Sequence, residues 1–302
     1  SDMTMDYTFS RSHVPLVTSF FDKNTNTISY VVADTTTKQC AIIDSVTDYE
    51  PHGGSMYYES ADKIIEHVVR HGYSVEWILE THVHADHLTA AKYLKEKLGG
   101  TIAMSKSITS VQKVFGDVFL EDESFARDGS QFDVLFEKDQ AFTVGSIPAV
   151  VISVPGHTPA DVAYLIGDAV FVGDTIFMPD YGSARCDFPG GNAEDLYESV
   201  RKLFELPDST RMFMCHDYLP EGRTDYLWET TVGEEKAKNI HLATTISKEV
   251  FVTMRREKDK KLGMPKLGYP LHRRFIHLHE IECSSASISF IKRHCTHVGI
   301  ID

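Results

Sequence analysis

The sequence predicts an α/β fold of the αββα sandwich kind, two sheets face to face with helices on both outer sides. Three observations predict it. The chain runs twice through a similar order, strands first and then a helix and a strand. The strands are short, rich in Val, Ile, Thr and aromatics, and separated by Gly, Pro or Asn/Asp turns. No low-complexity linker separates the two halves. Two half-domains that must each bury a sheet face are satisfied by packing on one another. The expectation is a single domain over residues 4–271, with residues 272–302 set aside as an atypical tail.

In order, Pro15–Phe21, Thr27–Ala33 and Cys40–Asp44 read as a β-meander with turns at Asp22-Lys23-Asn24 and Asp34–Lys38. Ala61–Arg70 carries Ile64, Ile65, Val68 and Val69 at helical spacing and stops at His71-Gly72. Val75–Glu80 is a short buried strand, Leu88–Leu98 a helix ended by Gly99-Gly100, and Thr101–Met104 a further strand. The second half has strands at Ala141–Val144, Ile147–Val154, Val162–Ile166 and Ala169–Val172, a helix over Ala193–Leu206 and a strand over Met212–Cys215. A helix over Ala243–Arg256 follows, with the basic run Arg255 to Lys261 read as its solvated end.

A net charge of -14 argues against a nucleic-acid partner, since binding a polyanion needs a basic face. An anionic small substrate would need locally focused positive charge. Five cysteines, odd in number and without a CxxC pair, suggest neither a disulfide framework nor a zinc ribbon, so a reducing, cytoplasmic location is expected. No apolar run is long enough for a membrane span. His277, His279, Cys283, His294, Cys295 and His297 match no zinc spacing.

The chemistry is carried by Thr81-His82-Val83-His84-Ala85-Asp86-His87, a run dense in potential metal ligands where a strand meets a helix. A strand-end turn lets alternate side chains converge, as a divalent metal requires. Three further candidates sit at strand ends: His157 in Pro155-Gly156-His157-Thr158-Pro159, Asp174 in Gly173-Asp174-Thr175, and His216 after Met214-Cys215. A carboxylate such as Asp174 can cap one metal or bridge two.

This ordered set, HxHxDH, PGHT, GDT and a late histidine, resembles the metallo-β-lactamase superfamily over about residues 14 to 240. Position 84 is His where flavodiiron proteins have Glu, and Asp174 stands where zinc β-lactamases have Cys or Ser. Within the superfamily the chain looks most like persulfide dioxygenases of the ethylmalonic-encephalopathy-protein type and their bacterial β-lactamase-related relatives. The segment Ser183-Ala184-Arg185-Cys186-Asp187-Phe188 is similar to their Gly-Arg-Thr-Asp-Phe, with Cys186 in place of threonine. The runs Glu221–Tyr226 and Trp228–Glu235 resemble the bacterial group more closely. After about Leu271 the chain departs from the pattern.

The resemblance implies one Fe(II) per chain on His82, His157 and Asp174, with open positions for a persulfide sulfur and O2, and sulfite and thiol as products. His84, Asp86, His87 and His216 would then support these ligands or fill a second metal site. Arg185 is the candidate to meet a carboxylate of a glutathione-type persulfide, against an internal ion pair with Asp180 or Asp187. Tyr181, Tyr218 and Arg223 are weaker candidates for the mouth of the site, and Cys186 is read as a buried filler rather than a reactive thiol. The alternative is a binuclear zinc or iron thioester hydrolase of the glyoxalase II type using the same residues. A non-catalytic sulfide sensor is a third reading, and a homodimer is allowed.

Overall fold

Buried apolar alternation on successive strands builds a three-layered core in the computed structural model, which describes residues 14–50, 55–84, 89–111 and 132–262. In β2 (Thr27–Ala33), Ile28, Tyr30 and Val32 point between two sheets while Val31 and Ala33 point to an outer helical layer. β3 (Gln39–Ile43) repeats the pattern, with Ala41 and Ile43 inward and Cys40 and Ile42 outward. Both faces are covered, so these strands read as continuous apolar runs. Ile28 and Ile43 expose no surface, and each contributes roughly 1.5–3 kcal/mol.

The first sheet adds β1 (Leu16–Asp22), β6 (Ser74–Leu79), β7 (Thr101–Ser105) and β8 (Val134–Phe136) in the order β1-β2-β3-β6-β7-β8, antiparallel through β3 and parallel beyond it. A small ribbon, β4 (Asp48–Glu50) with β5 (Ser55–Tyr57), stands apart. The second sheet comprises β9 (Ala141–Val144), β10 (Ile147–Ser153), β11 (Val162–Ile166), β12 (Ala169–Phe171), β13 (Arg211–Phe213) and β14 (Glu229–Thr231), ordered β14-β13-β12-β11-β10-β9. Only β12 and β13 run parallel within it.

Helices α1 (Glu59–Arg70) and α2 (Ala91–Leu98) cover the first sheet, and α3 (Ala193–Leu203) and α5 (Lys248–Lys261) pack on the second. α4 (Val232–Lys238) follows β14 directly. This is the expected αββα architecture. No helix among the described residues is long and apolar enough to cross a membrane. The boundary expected at residue 271, the tail beyond it, and its His and Cys residues lie outside the described residues.

Several helix boundaries differ from the sequence reading: α1 begins at Glu59 rather than Ala61, and α2 at Ala91 rather than Leu88. α3 ends at Leu203, where turns begin. α5 starts later and ends later than Ala243–Arg256. Asn239 Oδ1 accepts from the His241 and Leu242 amides, and the Arg201 guanidinium takes the carbonyls of Leu242, Ala243 and Ile246, which holds that stretch in turns. Ser247 then caps the helix, its Oγ accepting from the Val250 amide at 3.3 Å. The basic run therefore lies inside α5, and Arg255 is buried rather than solvated because Asp259, one turn on, pairs with it.

α3 opens on Asn192, whose Oδ1 accepts from the Asp195 amide at 3.0 Å. Asn192→Ala should cost about 1 kcal/mol of stability. A urea-unfolding midpoint identical to wild type would show that this cap contributes nothing.

Candidate metal centre

The C-terminal ends of β6, β10, β12 and β13 lead into His82, His157, Asp174 and His216 respectively. Backbone bonds across the sandwich hold these ends together: Val162 N donates to Thr81 O at 2.9 Å and Ile28 N to Cys215 O at 2.7 Å. Tyr164 Oη adds a bond to Glu80 O at 2.7 Å. Two glycines permit the close approaches. Gly173 has φ +58°, and a Cβ there would lie 2.6 Å from Thr81 Oγ1. Gly156, at φ +151°, sits where a Cβ would be 2.5 Å from the Leu196 backbone, so the turn bearing His157 packs directly onto α3.

Asp174 is the hub. Its Oδ2 lies 3.4 Å from Nε2 of both His82 and His157, and its Oδ1 lies 3.2 Å from His216 Nε2. All four side chains are buried.

The opposite ring nitrogens fix how each imidazole is presented. His157 Nδ1 is 2.8 Å from the Arg185 carbonyl and His216 Nδ1 3.2 Å from the Asn26 carbonyl. A carbonyl only accepts, so both Nδ1 atoms donate and both Nε2 atoms are left to face Asp174. For His82 the partner is Thr81 Oγ1 at 2.8 Å. That hydroxyl donates to the Asp44 carboxylate at 2.7 Å and so accepts from His82 Nδ1–H.

The arrangement fits a metal. His82 Nε2 and Asp174 Oδ1 are buried and make no hydrogen bond among the described residues, and His82, Asp174, Cys215 and His216 offer donor atoms within 4.8 Å of one another. Two imidazoles and a carboxylate suit iron or zinc. Burial opposes ionisation of Asp174, yet the surrounding His216, His82 and His157 hold its carboxyl far below the usual range. Burial and His84 oppose a proton on His82, but the carboxylates of Asp174 and Asp161 together raise its pKa. A metal on His82 Nε2 would take the position a proton otherwise takes beside Asp174.

His84 is differently placed. Its Nε2 lies 3.1 Å from Asp44 Oδ1 and 3.2 Å from Glu80 Oε2. Burial disfavours its charge, but those two carboxylates raise its pKa well above the ordinary value. Any metal ligation by His84 would go through Nδ1, on a ring 4.1 Å from that of His82. Asp86 and His87 lie outside the described residues.

Sequence reasoning missed Asp44, Glu80 and Cys215. Asp44 takes the amide and hydroxyl of Thr81, His84, and the Cys215 thiol at 3.7 Å, so it fixes the first part of the His-rich run. An acid closing the apolar run Ala41-Ile42-Ile43 was the available signal.

Beside the centre lies a cavity of about 660 Å³ whose walls include His157, Asp174, His216, Tyr181, Tyr218 and Arg185. Phe177, Tyr181 and Tyr218 form an aromatic wall, and Tyr218 stacks on the His216 ring at 5.4 Å. Arg185 forms a two-pronged pair with Asp187 at 2.6 Å and lies 5.8 Å from the Phe188 ring, which packs on His157. It thus lines the cavity and makes the internal ion pair at once. Lys258 and Lys261 of α5 also reach the cavity, focusing positive charge on an otherwise acidic chain. Arg223 is tied to Asp217 and Asp180 and is not among these lining residues. Cys186 is buried, and burial pushes its thiol up, as a filler requires.

A family model described as the Metallo-beta-lactamase superfamily matches residues 24–216. Over 253 residues the chain is 49% identical to the "Beta-lactamase hydrolase-like protein" of Xylella fastidiosa, covering 84% of this chain and 58% of that protein's length. It is 46% identical to "Glyoxylase B2" of Dictyostelium discoideum over 80% of this chain and 82% of that one. It is 28% identical to the mitochondrial "Persulfide dioxygenase ETHE1" of Bos taurus, covering 83% of each. The crystal structure of ETHE1 from Myxococcus xanthus superposes with a TM-score of 0.68 at 29% identity, covering 88% of this chain and all of that one.

Proposed function

Because the chain belongs to the metallo-beta-lactamase superfamily, we propose that it is a metal-dependent enzyme acting on the sulfur-linked group of an anionic, glutathione-type thiol derivative. Its metal would be held by His82, His157 and Asp174, with His216 beside them. Of the two reactions that fit, thioester hydrolysis has the better support from the relatives. Those at 46–49% identity carry hydrolase or glyoxalase names, while the bovine persulfide dioxygenase stands at 28%. The observation that carries this reading is the divided carboxylate, with Oδ2 toward His82 and His157 and Oδ1 toward His216. Such a carboxylate suits two metal positions, and Asp86 and His87, the sequence's further candidates for the second, lie outside the described residues.

Persulfide oxidation with Fe(II) is the second reading. It is favoured by the match to the whole of the Myxococcus structure over 88% of this chain, and by the Arg185-Cys186-Asp187-Phe188 segment, whose Arg185 and Phe188 line the cavity. When bound, zinc or iron supplies Lewis-acid activation of substrate and water, and iron alone adds redox chemistry with O2. The protein's own part is common to both. Arg185, Lys258 and Lys261 would attract the substrate's carboxylates, while Phe177, Tyr181 and Tyr218 cover its apolar body and exclude water.

One sample decides between them: metal content per chain, cleavage of S-lactoylglutathione, and oxygen-electrode traces with glutathione persulfide. Near two metals with rapid thioester cleavage is expected of the hydrolase. Near one iron, oxygen uptake and sulfite release would put the dioxygenase in its place.

A further inference from the structure

We propose that Asp259, on α5, is a positioning residue for the metal ligand His157, acting through the one peptide group that joins Arg185 to Cys186. The carbonyl end of that peptide accepts from His157 Nδ1–H at 2.8 Å. Its amide end, Cys186 N–H, donates to Asp259 Oδ2 at 3.0 Å. A peptide is a conjugated unit, so a carboxylate drawing on its N–H shifts electron density toward its oxygen. The Arg185 carbonyl becomes a stronger acceptor, and His157 Nε2 a better donor to a metal. Histidine ligands are commonly tuned by a carboxylate directly on the far ring nitrogen. Here a peptide stands between carboxylate and ring.

The surroundings fit this role. Asp259 and Arg255 are both buried, which strengthens a charged hydrogen bond. The two Asp259 oxygens are divided: Arg255 Nε and Nη2 approach Oδ1 at 2.9 and 2.8 Å, leaving Oδ2 to the Cys186 amide. Arg255 Nη1 also donates to the Ser183 carbonyl at 3.1 Å, so both members of the pair grip the same segment. The inference rests on the metal reading of the site.

The test uses the whole chain and Zn(II) alone, with affinity read by chelator competition. Asp259→Asn keeps an oxygen for the Cys186 amide and removes only the charge. It should weaken Zn(II) binding about 3- to 10-fold, at or below the lower end of what a direct partner to a ligating histidine contributes. Arg255→Gln leaves the carboxylate less neutralised and should bind Zn(II) as tightly as wild type or more so. Should Asp259→Asn fold poorly with Arg255 unpaired, the double variant Arg255→Gln/Asp259→Asn buries no charge and should show the same loss. Wild-type affinity in Asp259→Asn or the double variant, or equal weakening by the two single changes, would overturn the relay and leave α5 a mere brace. A wild-type chain that takes up no Zn(II) would overturn the metal reading, and this proposal with it.

Discussion

Asp174→Ala should leave the purified chain essentially without metal. The three imidazoles around it remain aimed at one point by Thr81 and the Asn26 and Arg185 carbonyls, but the carboxylate they surround is gone. Losing a partner that merely orients a ligand weakens metal binding about 10- to 100-fold. Losing the carboxylate the ligands surround should cost at least the upper end of that range. Asp174→Asn, which keeps the shape without the charge, should fall nearly as far. Elemental analysis after purification in chelated Zn(II) or Fe(II) buffer gives the answer. A wild-type metal content in Asp174→Ala would mean that the ion sits elsewhere, for instance with Asp44, His82 and His84, which also bring donor atoms together.

Glu235→Gln should raise stability above neutral pH and remove a pH dependence of the wild type. Glu235 is fully buried in α4. Its Oε2 accepts from Asn239 Nδ2 at 2.7 Å, and its Oε1 has no hydrogen-bond partner among the described residues. Burial pushes the carboxyl up to about 8, against the help of Asn239 and with some repulsion from Asp180. The folded chain therefore keeps a proton that the unfolded chain has already lost above its ordinary value near 4.5. Where the folded state binds more protons, stability falls as pH rises. The decline runs from about pH 4.5 to pH 8 and then levels, at a cost on the order of a few kcal/mol. Glutamine has no charge to bury, so its Tm should exceed wild type by several degrees at pH 8.5 and converge with it below pH 5. Parallel Tm-against-pH curves would show that Glu235 ionises without hindrance. Asn239 also donates to the Gly182 carbonyl, so this acid stands behind the loop that carries Tyr181 and Arg185.

The strands were legible because their apolar alternation is a local property, as at Ile28, Tyr30 and Val32 against Val31 and Ala33. The clustering of His82, His157, Asp174 and His216 was legible because each follows a strand with a turn. Long-range pairing was not. Nothing near Asp44 in the chain announces that it will meet Thr81, His84 and Cys215. The charges of Arg255 and Asp259 look like those of any solvated helix until Ser183 and Cys186 are placed beside them. The shift of α5 has the same origin, since the carbonyls Arg201 takes belong to residues some forty positions away. β8, β14 and α4 escaped because segments of 3–7 residues carry too little periodicity to stand out.

The histidines at 157 and 216 are steered by main-chain oxygens, and every amino acid brings such an oxygen. Position 185 can therefore exchange its side chain over evolutionary time while the imidazole keeps its aim, whereas position 26, at φ +54°, is held to residues such as Asn, Asp or Gly. Arg185 stands at both levels, its carbonyl steering His157 and its side chain lining the cavity. A lineage could retune what the cavity welcomes by changing that one side chain, and the aim of the imidazole would pass down unaltered.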